Sequence, residues 1–297
     1  MKVGAAPVSW GVAGPPDWGP MLDYRRVLDE MAAAGYEGTE VGPPGFLPDD
    51  VEAMRAELSR RGLKTIAGYV PVNMRTPEAV ERALADVRAT ARKLAQLGAD
   101  RIMVADEGDA RREAIAGRPE ETARNGLTGS EWRCFADGLH RAAEECAALG
   151  LVLCVHPHGG SYVENEGEID RLLSMTDPAL VKLCLDTGHV AFGGGDPLSV
   201  AQRWADRIGL VHLKDIALER LRDGLAAGRS YGDLAKHDCF VALGDGSLDL
   251  AAIVVQLQRA GYSGWLVVEQ DRVVHPEMDT LADARRNREY LRTRFGL

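Results

Sequence analysis

The chain has 297 residues, of which 45% are hydrophobic and 27% charged, and a formal net charge of −10. That length suits one α/β barrel domain, and the composition supplies a sizeable core with nothing that reads as disorder. An acidic chain without a Lys/Arg-rich run argues against nucleic acid as a partner, because phosphates must be neutralised, and it makes a favourable host for a divalent cation.

From the N-terminus, MKVGAAPVSWGV enters directly into a strand-like run. Further strand-like runs follow: GTEVG from Gly38, KTIAGYV from Lys64, RIMVAD from Arg101 and LVLCVHP from Leu151. VKLCLDTGH from Val181, IGLVHLKD from Ile208 and GWLVVEQD from Gly264 complete the series, with VGAAPVSW from Val3 as its first member. Amphipathic segments such as DDVEAMRAELSRRG, ERALADVRATARKLAQLG, FADGLHRAAEECAALG and LDLAAIVVQLQRAG lie between them. Several end at a glycine (Gly35, Gly62, Gly98, Gly150, Gly261), which takes the left-handed C′ conformation without steric cost.

Sustained strand-helix alternation implies parallel pairing with right-handed crossovers, and roughly eight units fit a closed barrel. The fold expected is α/β, a single (β/α)8 TIM barrel over residues 1–297. An open doubly wound sheet is the rival, but its G-x-G-x-x-G turn is missing after the first run. Two segments exceed ordinary connections, from about Asp106 to Gly129 and from about Ile216 to Gly246. Both follow strands, so both are expected as lids or walls at the C-terminal face, where barrel active sites lie.

Cys134, Cys146, Cys154, Cys184 and Cys239 are widely spaced and form no C-x-x-C pair, so reduced thiols and a cytoplasmic setting are expected. No apolar stretch approaches the roughly 20 residues of a spanning helix, so no membrane partner is expected. No stripe identifies an interface, although a homo-oligomer fits the barrel class.

The informative feature is where ionisable residues fall. His156, Asp186, His212 and Glu269 each come at or near the C-terminal end of a predicted strand, in four consecutive units. Side chains alternate across a strand. Cys154, Cys184, Leu210 and Val267 therefore share the ligands' face as an apolar layer beneath a polar mouth. Val155, Leu185, Val211 and Val268 face the outer helices. Mixed imidazole and carboxylate ligands suit Mn²⁺, Co²⁺, Zn²⁺ or Fe²⁺ more than Ca²⁺. Glu40, His158, Glu164, His189, Lys214 and Asp215 crowd the same mouth, and Trp10 is expected either over a sugar face or as a barrel plug.

HPHGGSYVEN, LCLDTGH, VHLKD and VVEQD, in this order, resemble the xylose-isomerase-like sugar isomerase/epimerase superfamily. With APVSWG and TEVGPPGFLP the resemblance is strongest to inosose (2-keto-myo-inositol) dehydratases and covers essentially the whole chain. It implies a metal held by Glu, Asp, His and Glu, of which the last three fall on Asp186, His212 and Glu269. The first falls on His156, a departure shared with the His-rich inosose dehydratase branch. It leaves open His158 as the ligand instead, or Glu40 or Glu164 completing the shell. His189 matches a substrate-contacting position of the keto-sugar epimerases, and Glu164 resembles their second mouth carboxylate.

The expected chemistry is dehydration of a keto-polyol such as 2-keto-myo-inositol, with Mn²⁺ or Co²⁺ as cofactor ahead of Zn²⁺, Fe²⁺ or Mg²⁺. Glu269 or Glu164 is expected as base and His158 or His189 as acid. Trp10, Glu40, His189 and Lys214 are the expected substrate contacts. The alternatives are a keto-sugar isomerase or epimerase, a lyase acting on 3-keto-glycosides, the endonuclease branch of the superfamily, and a non-catalytic sugar-binding subunit. The endonuclease branch is disfavoured by the acidic charge.

Overall fold

The computed structural model describes residues 1–12, 19, 21–236, 239–275 and 277–297. Strands β1 (Lys2–Ala5), β2 (Gly38–Thr39), β3 (Lys64–Thr65), β4 (Tyr69–Val72) and β5 (Arg101–Asp106) come first. They are followed by β6 (Val152–Val155), β7 (Val181–Asp186) and β8 (Ile208–Leu213). The short β9 (Asp215–Ile216) and β10 (Phe240–Val241) form an antiparallel ribbon of their own, and β11 (Trp265–Val268) is the last strand. All but that ribbon belong to one parallel sheet in the order β3-β2-β1-β11-β8-β7-β6-β5-β4.

β3 and β4 are halves of one stave. Between them Ala67 O accepts from Val41 N (3.1 Å) on the β2 side, and Gly68 O accepts from Met103 N (2.9 Å) on the β5 side. Residues 64–72 thus change partners midway and join the two edges, closing the predicted barrel. KTIAGYV appears as two strands for that reason. VGAAPVSW is strand only as far as Ala5, because Pro7, which has no N–H to give a ladder, opens a 3-10 turn over Pro7–Trp10.

Helices α1 (Tyr24–Ala34), α2 (Val51–Ser59), α3 (Pro77–Gln96), α4 (Ala110–Ile115), α5 (Pro119–Arg124) and α6 (Gly129–Ala147) lie in the first half of the chain. α7 (Glu166–Met175), α8 (Thr187–Phe192), α9 (Pro197–Arg203), α10 (Leu218–Ala226), α11 (Tyr231–Lys236), α12 (Leu250–Arg259) and α13 (Thr280–Phe295) lie in the second. The glycines expected to stop helices, Gly35 and Gly98 among them, have φ of 88° and 76°. No helix among the described residues is long and apolar enough to cross a membrane.

The strand alternation divides the core as the sequence predicts. Cys154, Cys184, Leu210 and Val267 pack inside the barrel with Ala6, Ile66, Ala67 and Met103. Val155, Leu185, Val211 and Val268 face outward into the larger core shared with the helices. Burying each such aliphatic side chain is worth roughly 1.5–3 kcal/mol. An apolar plug therefore fills the barrel beneath the ionisable groups at its rim.

Candidate active site

The register of β7 on β8 sets Asp186 beside His212, and β8 on β11 sets His212 beside Val267, two residues before Glu269. The ladder runs past the strand ends: His156 N donates to Val104 O (2.8 Å) and Glu269 N to Leu213 O (3.1 Å). Asp186 also caps α8, its Oδ1 accepting from His189 N at 2.8 Å, which leaves Oδ2 turned into the mouth. Oδ2 there lies 3.3 Å from His156 Nε2 and 3.5 Å from His212 Nδ1, while Glu269 Oε2 lies 3.0 Å from His212 Nδ1.

One ligand atom from each of His156, Asp186, His212 and Glu269 falls within 4.8 Å of the other three, and all four residues are buried. Bonds of roughly 2.1 Å to a tetrahedral or octahedral ion put neighbouring ligand atoms about 3.0–3.4 Å apart. Two of the three measured separations, 3.0 and 3.3 Å, fall in that range, and the third, 3.5 Å, lies just above it. His212 Nδ1, buried and aimed into the group, has no hydrogen-bond partner of acceptable geometry. The donor set fits a divalent ion of the Mn²⁺, Co²⁺ or Zn²⁺ kind.

A scan against family models matches residues 15–294 to the xylose isomerase-like TIM barrel. The chain belongs to that family. It is 36% identical over 278 residues to an inosose dehydratase of Geobacillus kaustophilus, covering 93% of this chain and 90% of that protein. It is 34% identical over 272 residues to the rhizopine catabolism protein MocC of Rhizobium meliloti, covering 92% of this chain and 82% of that protein. Among solved structures, an L-ribulose 3-epimerase superposes with a TM-score of 0.73 at 17% identity, covering 100% of this chain and 95% of that one. That likeness is one of fold. With relatives 36% and 32% identical named inosose dehydratase, this member of the xylose isomerase-like family is an enzyme.

Electrostatics bind the cluster together. Lys214 Nζ, 1% exposed, lies 3.2 Å from Asp186, 2.9 Å from Glu269 and 3.0 Å from Asp271. Burial alone would raise both cluster carboxyls. Lys214 and the nearby imidazoles outweigh it, holding Asp186 well below its ordinary value and taking Glu269 down to about 2. The same balance runs in reverse for Lys214. Burial opposes its charge, but Asp186, Asp271 and Glu269 keep it firmly protonated.

His158 and His189 stand with ring centroids 4.1 Å apart, and the Gly159 peptide separates their roles. His158 Nδ1 donates to Gly159 O at 2.9 Å, so its Nε2 keeps the lone pair. Gly159 N donates to His189 Nδ1 at 3.2 Å, and His189 Nε2 lies 3.1 Å from Lys214 Nζ. His158 lines an adjoining cleft of about 660 Å³ together with Tyr69, Asp106 and Tyr231.

Three expected site residues have other duties. Trp10 is 2% exposed, packs edge-on to Tyr36 and donates from Nε1 to Glu30 (2.8 Å), so its indole belongs to the outer core rather than over a sugar. Glu164 accepts from Gly117 N (2.8 Å) and Gly160 N (2.6 Å), a strut between two loops rather than a mouth carboxylate. Glu40 is turned onto His212, its Oε1 2.8 Å from Nε2. Asp215, noted beside Lys214, accepts from Gly244, Gly246 and Leu248 and holds that loop.

Sequence reasoning missed Asp271 and Tyr231. The Tyr231 hydroxyl lies 3.3 Å from both His158 Nε2 and Asp271 Oδ2. Asp271 stands two residues past Glu269, on the same face by the period-2 rule, and that spacing was a usable signal. Tyr231 had none, lying in a short helix of the second long insertion.

Proposed function

We propose that the chain is a divalent-metal-dependent hydro-lyase that dehydrates a keto-inositol such as 2-keto-myo-inositol. The observation that carries this reading is the convergence of His156, Asp186, His212 and Glu269 within 4.8 Å. It occurs in a chain 36% identical to an inosose dehydratase over 93% of its length. His156, Asp186, His212 and Glu269 would hold the ion, with Mn²⁺ or Co²⁺ favoured. A bound divalent ion supplies Lewis-acid polarisation of a ketone and its neighbouring hydroxyl.

The chain's own groups then divide the proton work. His158, with its Nε2 lone pair at the cleft, takes the proton from the carbon beside the ketone. The Lys214 ammonium balances the negative charge that develops on the ketone oxygen. His189, beside the Lys214 ammonium (3.1 Å), acts as the acid for the departing hydroxyl, so that one C–H and one C–O bond break and water leaves. The earlier expectation of Glu269 as base is the weaker one, since Lys214 and His212 already hold its carboxylate.

The test incubates metal-replaced protein with 2-keto-myo-inositol and follows product by absorbance and NMR. Loss of water with a new enone-type absorbance is expected. Asp186→Ala should lose both bound metal and turnover, by on the order of 10³-fold or more, while retaining the fold. Full turnover in chelator, or turnover of a ketohexose with none of the keto-inositol, would overturn the reading. The second outcome would favour epimerisation, which shares the first proton abstraction.

A further inference from the structure

We infer that Glu40 is a positioning residue that fixes which nitrogen of His212 is offered to the metal, and thereby sets the protein's affinity for the ion. The inference rests on the metal reading above. Glu40 follows β2, and β1 and β11 separate that strand from β8, so the contact spans the barrel mouth. Its Oε1 lies 2.8 Å from His212 Nε2, with Glu40 5% and His212 1% exposed. The backbone on the Glu40 side is itself tied down. Glu40 N donates to Ala5 O at 3.4 Å, and Thr39 Oγ1 donates to Glu40 O at 2.8 Å.

A carboxylate only accepts hydrogen bonds, so the Glu40 contact requires a proton on Nε2. In the neutral imidazole that leaves the lone pair on Nδ1, the nitrogen 3.0 Å from Glu269 Oε2 and without a hydrogen bond of its own. A carboxylate behind a ligating imidazole holds the ring's orientation and raises its basicity, and losing such a partner weakens metal binding by about 10–100-fold. The neighbouring inward positions Ala6, Ile66 and Ala67 are apolar, and the hydrogen bond that the Glu40 carboxylate makes among the described residues runs to His212.

The experiment titrates metal-free protein with MnCl2 or ZnCl2 alone by calorimetry, comparing the unsubstituted chain with Glu40→Ala and Glu40→Gln. The alanine variant should bind about 10–100-fold more weakly. The glutamine variant, whose amide oxygen still accepts from Nε2–H, should recover most of that loss. Nitrogen-15 NMR of the Zn²⁺-loaded unsubstituted protein should show His212 protonated on Nε2 and bound through Nδ1, a signature that simple packing would not produce. Unchanged affinity in the alanine variant overturns the inference. So does a glutamine variant as weak as the alanine one, which would make Glu40 itself a ligand, and so does His212 bound through Nε2. Failure of the unsubstituted protein to bind any ion would remove the metal reading first and this inference with it.

Discussion

Residues 107–128, after β5, and the described residues of 217–246, after β8, both rise from the C-terminal end of the barrel, but they are held there differently. The first insertion is fastened by buried charge. Arg112, fully buried, donates to Ser161 O and Thr122 O (both 2.8 Å) and pairs with Glu168 (2.9 Å). Glu164 clamps Gly117 N from the other side, and Gly108 lies so close to Gly160 that a Cβ would meet its carbonyl oxygen at 2.2 Å. In the second insertion, Tyr231 lies on Gly159, where a Cβ would sit 2.5 Å from the ring, and reaches His158. Phe240 meets His189 edge-on with centroids 5.4 Å apart. An insertion tied by desolvated ions cannot lift without stranding a charge, so it makes a wall. One that rests aromatic rings on the site's histidines forms part of that site's rim.

The contrast can be broken or sharpened by substitution. Arg112→Ala leaves Glu168 buried without its cation and should destabilise the protein by about 3–5 kcal/mol in urea unfolding. A loss under about 1 kcal/mol would mean that the first insertion is not held by this pair.

Glu164 gives the next largest effect. Burial raises its carboxyl to about 7, against the hydrogen bonds from Gly117 and Gly160 and the charge of Arg112 that lower it. A raised carboxyl favours the folded state below its unfolded value, and that contribution is lost as pH climbs through about 7. Stability should therefore fall between pH 5 and 8 by on the order of 3 kcal/mol more in the unsubstituted protein than in Glu164→Gln. Equal slopes in the two proteins would count against it.

Tyr231→Phe keeps the ring on Gly159 and deletes the hydroxyl between His158 and Asp271. Turnover of the keto-inositol should drop about tenfold, the equivalent of one hydrogen bond, with little change in unfolding. Unchanged kcat would make the second insertion a passive cover. The smallest effect is expected for Trp10→Phe, a loss of about 1 kcal/mol from the missing bond to Glu30 with KM unaltered. A raised KM would return Trp10 to the mouth.

The strands could be read from alternation because burial on two faces forces a period of two, and the barrel followed from their number and order. The ligand candidates were legible for the same reason. His156, Asp186, His212 and Glu269 each end a run whose inward members are apolar, so their direction was implied before any coordinate. The partners of Glu164 and Trp10, Gly117 and Gly160 for one and Glu30 and Tyr36 for the other, sit in separate segments, so their local sequence carries no sign of them. Nothing in RSYGDLAK distinguishes Tyr231 from an ordinary surface tyrosine.

Sequence alone determined the repeat of strand and helix, the inner and outer faces of each strand, and the four strand ends that carry ionisable groups. These are properties of neighbouring residues under a fixed backbone period. Only the closed barrel decided which nitrogen of each histidine is free, which acids serve as struts, and which insertion touches the site. Those choices are made by hydrogen bonds such as Glu40 to His212, which join residues 172 positions apart and leave no trace in local pattern.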